Sequence, residues 1–142
     1  MAFLFSTNSK KQLATCHPDL QVLFTEVIKY FDCIVIEGHR GEAAQNAAYN
    51  KGNSKLRYPN GKHNKLPSMA ADVAPYNRVT KNISWTQTND FYYFAGHVMA
   101  IAIQLYNAGR MKHRVTFGGD WNRNNNLRDQ TFMDLVHYEI VI

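Results

Sequence analysis

The chain is short of cysteine: among 142 residues only Cys16 and Cys33 carry thiols, and no CxxC pair occurs. That excludes a disulfide framework and a metal centre built on thiolates. Both are expected as buried free thiols, one just before a helix and one inside an apolar strand. Long apolar runs are also missing. No stretch approaches the roughly 20 residues of a membrane span, so stable membrane insertion is not expected. The opening Met1-Ala2-Phe3-Leu4-Phe5-Ser6 has neither the basic head nor the apolar length of a secretory signal, and synthesis in the cytoplasm is the expectation. A dense cationic stripe is absent too. The net charge is +5 and the pI about 9.3, but the basic residues are scattered in ones and twos, as at Lys10-Lys11, Arg57, Lys62, Lys65 and Arg110. A nucleic-acid groove needs more than that. The charge favours a polyanionic partner such as an acidic wall polymer, or serves solubility alone. A small basic nucleic-acid binder would rest on charge only, and its affinity for DNA would fall steeply with salt.

What is present fits one globular domain over residues 1–142, with 45% hydrophobic and 13% aromatic content. Ser9-Lys10-Lys11-Gln12 has the form of a capping box opening a short helix to about Cys16. Pro18 suits a helix first turn, and Leu20, Leu23, Phe24, Val27, Ile28 and Phe31 keep to one helical face. Cys33-Ile34-Val35-Ile36 reads as a buried strand ending at Glu37-Gly38. An Ala-rich helix follows from Gly41 to Tyr49, closed near Gly52, and the polar segment from Gly52 to Pro67 reads as loop. Ala70 to Tyr76 reads as a short strand. The longest helix is expected from about Asn89 to Ala108, with Phe91, Phe94, Val98, Ile101, Ala102 and Leu105 as its buried stripe. Arg114-Val115-Thr116-Phe117 is a strand feeding the Gly118-Gly119-Asp120-Trp121 turn, and an Asn-rich loop leads to a terminal strand from His137 to Ile142. Helices and strands mix without regular βαβ alternation, so the fold class is α+β, a small antiparallel sheet packed against helices.

Six positions carry the chemistry. Asp72 lies among small apolar residues, where a carboxylate needs a cation or strong donors to offset desolvation. It is a metal ligand, a partner for a buried Arg, or a surface Asp on an edge strand. His63 precedes it in a loop whose polar neighbours equally suit a solvated histidine. His137 opens the terminal strand, where period-two alternation puts Glu139 on the same face, as a simple partner or as the group that orients a ligating imidazole. Asp134 lies three residues before His137, and it and Glu139 are rival candidates for a general base. Two histidines and a carboxylate from separate segments are what a catalytic zinc site requires, with a fourth position open. Arg40 follows a buried strand, where a guanidinium can polarise a carbonyl or form an ordinary salt bridge. His39 is its neighbour. His17, His97 and His113 have no such company in the sequence, and His97 lies off the stripe of its helix.

In order along the chain, Glu37-Gly38-His39-Arg40, Gly52-Asn53-Ser54, Lys62-His63 to Asp72, Gly119-Asp120-Trp121 and Asp134-Leu135-Val136-His137-Tyr138-Glu139 resemble the motifs of a known family. These are the zinc peptidases of bacterial cell walls that include D-Ala-D-Ala carboxypeptidases and phage L-alanyl-D-glutamate endolysins and share the Hedgehog/DD-peptidase fold. The resemblance runs from about Val35 to the C-terminus. It implies Zn²⁺ held by His63, Asp72 and His137, Asp134 as the base, Arg40 polarising the peptide carbonyl and Ser54 binding substrate. It also implies cleavage of the L-alanyl-D-glutamate bond of the peptidoglycan stem by a compact monomeric endolysin without a separate wall-binding domain, reaching the periplasm by holin-type release. A D-Ala-D-Ala carboxypeptidase and a non-catalytic wall-binding or virion module are the alternatives on the same fold. Two departures stand out. His63 and Asp72 are nine residues apart where seven is common, and Gly61 stands where Ser commonly precedes the ligand His by two.

Overall fold

The computed structural model describes residues 3–142; Met1 and Ala2 of the expected domain lie outside them. Four helices and four strands occur among these residues: α1 (Thr7–Leu13), α2 (Pro18–Val27), β1 (Cys33–Glu37), α3 (Glu42–Asn50), β2 (Ala70–Pro75), α4 (Thr88–Asn107), β3 (Val115–Phe117) and β4 (His137–Ile140). Short 3₁₀ turns lie at Lys62–Asn64 and Leu127–Asp129.

Pro18 opens α2 as its sequence position predicts, and the His17 side chain caps it by accepting the Asp19 N–H. The first helix starts earlier than its apparent box. Its N-cap is Ser6, whose hydroxyl accepts the Ser9 N–H. Ser9 and Gln12 are spent on tertiary contacts instead: Ser9 Oγ accepts the Val35 N–H and Gln12 Oε1 accepts the Gly38 N–H. Tertiary donors outcompeted a local cap. In α4, Phe91, Phe94, Val98, Ala102 and Leu105 are buried as the periodicity requires, with Ala95 joining them and Ile101 only half-buried.

The sheet runs β1-β2-β4-β3 with every pairing antiparallel. The sheet thus matches the expected small antiparallel type. Strand β2 is interior and buried along its whole length, so Asp72 is not on an edge. Alternation gives the sheet two different faces. Val35, Val73, Tyr138, Ile140, Val115 and Phe117 join Leu20, Leu23, Phe24 and the α4 stripe in one core. Tyr138 anchors this arrangement, its ring 5.5 Å from Phe24, 6.3 Å from Phe94 and 5.4 Å from Phe117. With Tyr138 fixed inward, His137 and Glu139 must face the other side. Cys16 and Cys33 are buried free thiols. Burial pushes the Cys16 thiol up to about 11 and raises Cys33 further, so neither ionises readily.

Candidate active site

The strand register builds the centre. Asp72 pairs directly with His137 across β2 and β4 and lies beside Glu37 across β1, so directly opposed side chains share one face. His63 arrives from the 3₁₀ turn before β2 and is 4% exposed, not a solvated loop histidine. The nine-residue interval is absorbed without disturbing it. The Met69 N–H bonds to the Lys62 carbonyl at 3.0 Å, closing a loop in which Lys65, Leu66 and Pro67 project into solvent. Gly61 has a local cause as well. A Cβ there would come within 2.8 Å of Asn64 Oδ1 and 3.1 Å of Gln45 Oε1, the atoms that fasten the turn.

Three ligand atoms converge. His63 Nε2 is 3.2 Å and His137 Nδ1 is 3.4 Å from Asp72 Oδ1, and one donor atom from each residue lies within 4.8 Å of the others. Zinc–ligand bonds of about 2.0–2.2 Å in a tetrahedron place neighbouring donors about 3.3 Å apart, so this donor set fits the ion. The outer nitrogens are occupied: His63 Nδ1 is 2.7 Å from the Gly38 carbonyl and His137 Nε2 is 2.8 Å from Glu139 Oε1. In the neutral imidazole each acceptor receives the outer N–H, which leaves the inner lone pair for the centre. Lys62 holds Glu139 in turn, 2.9 Å from its carboxylate.

Electrostatics follow from this packing. Burial disfavours ionised Asp72, but hydrogen bonds from His137 and His63 outweigh it and hold the carboxyl far below the usual carboxylate range. Burial also works against a charged His137, yet Asp72 and Glu139 prevail and push it up to about 9. Asp134 behaves oppositely. Burial and the neighbouring Asp72 charge raise its pKa, the tuning a carboxylate needs to take and return a proton. Its Oδ2 is 3.9 Å from His137 Nδ1, on the inner side of the ring, whereas Glu139 sits on the outer nitrogen. Backbone docking fixes Asp134: its N–H bonds to the Gly118 carbonyl at 2.8 Å, and Gly118 N–H bonds to the His137 carbonyl at 2.8 Å. A Cβ at Gly118 would run into the Asp134 carbonyl.

Arg40 is committed to protein partners. Its guanidinium bonds Glu37 Oε1 through Nε at 2.7 Å, Gln45 Oε1 through Nη1 at 3.1 Å and Asp72 Oδ2 through Nη2 at 3.2 Å. Asp72 therefore offers one oxygen to the centre and the other to Arg40. His39 touches the site only through its backbone neighbours; its N–H bonds to Thr15 Oγ1 at 2.8 Å. Ser54 lines the groove, its hydroxyl accepting from Gln45 Nε2 at 2.9 Å. Gln45, fully buried on α3, was not singled out by the sequence pattern, yet it ties Arg40, Asn64, Ser54 and the Leu56 carbonyl together. A lone glutamine on the inward face of an otherwise Ala-rich helix is the signal that could have found it.

A groove of about 560 Å³ opens over this centre, lined among others by Ser54, Lys55, Asn60, Trp121, Gln130 and Phe132. Trp121 forms its inner wall. Its ring lies 5.3 Å from the His137 ring and stacks on Phe132 at 6.0 Å, and its Nε1–H bonds to the Phe132 carbonyl at 2.7 Å.

A second His–Asp–His group was invisible in the sequence. His17, Asp19 and His113 also bring donor atoms within 4.8 Å of one another. Here Asp19 Oδ2 accepts the Lys112 N–H at 3.0 Å and the His113 N–H at 2.9 Å and lies 2.9 Å from His113 Nδ1, while His17 Nδ1 is spent on the helix cap.

A family model described as phage L-alanyl-D-glutamate peptidase matches residues 1–141. The L-alanyl-D-glutamate peptidase of Escherichia phage T5 is 31% identical over 135 residues, covering 92% of this chain and 90% of that one. Among solved structures, the Serratia marcescens L-Ala D-Glu endopeptidase ChiX has the same fold, with a TM-score of 0.71 at 21% identity over 97% of this chain and 90% of that one. The chain belongs to the phage L-alanyl-D-glutamate peptidase family.

Proposed function

We propose that this protein is a zinc-dependent phage endolysin that hydrolyses the L-alanyl-D-glutamate bond of the peptidoglycan stem peptide and so lyses the host cell. The observation that carries the reading is the convergence of His63 Nε2, Asp72 Oδ1 and His137 Nδ1 with Asp134 beside them at the floor of the groove. Family membership and the T5 relative support the bond and the substrate.

His63, Asp72 and His137 would hold the ion, with Gly38 and Glu139 keeping the two imidazoles aimed. Zinc in such a place would supply Lewis acidity towards a carbonyl oxygen and make water more acidic. Asp134 removes the proton from the water that attacks the L-alanyl carbonyl carbon. As the C–N bond breaks, Asp134 delivers that proton to the departing amine of D-glutamate, leaving a carboxylate on L-alanine. Arg40 orients Asp72 through its 3.2 Å bond at the edge of the groove, close to where the carbonyl oxygen gains charge. Ser54 and Gln45 shape the groove wall.

In this reading the domain acts as a monomer. Among the described residues no helix is long and apolar enough to cross a membrane, and a holin-type pore delivers the protein to the periplasmic wall. Digestion of purified Gram-negative peptidoglycan, with mass spectrometry of the fragments, tests the reading. Stem peptides newly beginning at D-Glu, lost with a chelator and restored by zinc, are expected. Release of terminal D-Ala alone would make the protein a carboxypeptidase, and no cleavage by folded, zinc-loaded protein would make it a binding module.

A further inference from the structure

The groove is lined by three cations, and two are already spent. Arg40 is paired with Glu37 and Asp72. Lys62 is paired with Glu139 and bonds the Ile140 carbonyl. Lys55 differs. Among the described residues it meets no carboxylate within ion-pair distance, and its Nζ rests over the Phe132 ring, 5.1 Å from the centroid. Asp129, which also lines the groove, is occupied by Asn122 Nδ2 at 3.3 Å and by Asn124 and Gln130. Phe132 stacks on Trp121, and the Trp121 ring lies tilted against the His137 ring, 5.3 Å away. Lys55 thus stands at the outer end of a continuous aromatic wall that begins at the candidate metal centre.

An exposed ammonium over a ring face is weakly held. A carboxylate entering the groove offers it a charge-assisted hydrogen bond, the stronger interaction. The stem peptide carries such groups on one side only. The L-alanine side of the scissile bond is neutral, because its amine is acylated by the lactyl group of the sugar. On the leaving side, D-glutamate is linked through its γ-carboxyl, so its α-carboxylate is free, and the diaminopimelate that follows carries a further free carboxylate.

We propose that Lys55 is a specificity-determining residue that takes a free carboxylate on the leaving side of the stem peptide, so that the protein favours stems with ionised carboxylates over amidated ones. The inference rests on the peptidase reading above. It sets the orientation of the substrate: the leaving peptide runs out along the Trp121–Phe132 wall towards Lys55, with the sugar-bearing end on the opposite side of the centre.

The test uses the zinc-loaded protein and three soluble stem peptides. One is fully acidic, one has D-isoglutamine in place of D-glutamate, and one has the free diaminopimelate carboxyl amidated. On the acidic peptide, Lys55→Ala is expected to lower kcat/KM about fivefold, mainly through KM, the upper range for a solvent-accessible ion pair. Lys55→Arg should keep most of the wild-type value. On one of the two amidated peptides, wild type should fall to the level of Lys55→Ala and the substitution should cost nothing more, which identifies the carboxylate. Thermal melts of the variants should match wild type, since the side chain is exposed. Equal losses for Lys55→Ala on all three peptides, or no loss on any, would overturn the proposal while leaving the peptidase intact. Wild-type protein that cleaves none of them overturns the peptidase reading, and this one with it.

Discussion

The groups His63–Asp72–His137 and His17–Asp19–His113 contain the same side chains at similar separations, but the backbone treats their carboxylates in opposite ways. Asp19 is consumed by main-chain N–H groups of Lys112 and His113, and one nitrogen of His17 is consumed by a helix cap. Among the described residues no backbone N–H reaches Asp72. One of its oxygens faces two imidazole nitrogens and the other faces Arg40. In the His17–Asp19–His113 group the lone pairs close the N-terminus of α2 onto the segment before β3. In the His63–Asp72–His137 group they are left pointing at a common point, and the backbone and carboxylate contacts of the imidazoles lie on the outside of the ligands. A constellation of ligand types becomes a site when its inner lone pairs are unspent and its outer ones are tied down.

Replacing Asp134 by Asn is the sharpest way to break the comparison, because it leaves the ligands in place and removes only the base. Activity on stem peptides should fall by two to four decades, with zinc content unchanged by atomic absorption; near-full activity would transfer the role to Glu139. Glu139→Gln tests the outer shell. Its loss from His137 Nε2 should weaken zinc binding about 10- to 100-fold, measured by competition with a chromophoric chelator. Proton linkage gives a further effect. His137 is pushed up to about 9 in the metal-free site, so below that pH zinc must displace its proton. Affinity should rise about tenfold per pH unit from neutrality to about 9 and then level off; a flat profile across this window would mean that His137 binds no metal.

The parts of this arrangement that depend on local pattern were legible in the sequence. Period-two alternation placed Glu139 beside His137, the 3.6-residue stripe marked α4, and Pro18 marked the start of α2. The apolar context of Asp72 pointed to a buried carboxylate with cationic partners, and the structure supplies Arg40 and two histidines. What escaped depends on contacts between distant segments. Asp19 meets His113 across 94 positions, a pairing that no window of sequence contains. Ser9 and Gln12 look like a cap until β1 arrives to claim them. For Arg40 the sequence left a carbonyl-facing role and a salt bridge both open; its bonds to Glu37, Gln45 and Asp72 come from the fold, and only the last could be guessed from the need to neutralise Asp72. The unpaired state of Lys55 is equally a property of the folded groove, since it is defined by which carboxylates are already taken.

The smallest expected effect on catalysis comes from the second group, and it completes the comparison. Asp19→Ala leaves the Lys112 and His113 N–H groups without their acceptor in a part-buried position, a change that should cost about 1–3 kcal/mol of stability and lower Tm by several degrees. Zinc content and kcat/KM per folded molecule should stay at wild-type values, whereas Asp72→Ala should abolish both. The stability difference should itself depend on pH. Burial raises the pKa of Asp19, but the His113 side chain and the two backbone donors outweigh it and hold the carboxyl below its ordinary value. A group depressed in the folded state contributes its full stabilisation above the unfolded pKa, about 3.9, and loses it as pH falls through the lower folded value. Urea unfolding of wild type and Asp19→Ala should therefore differ most at neutral pH and converge in acid. A gap that stays constant down to strongly acidic pH would mean that Asp19 acts through packing and not as a carboxylate, and a loss of zinc in Asp19→Ala would mean that the two groups are coupled through the Cys16–Ser68 bridge between their loops.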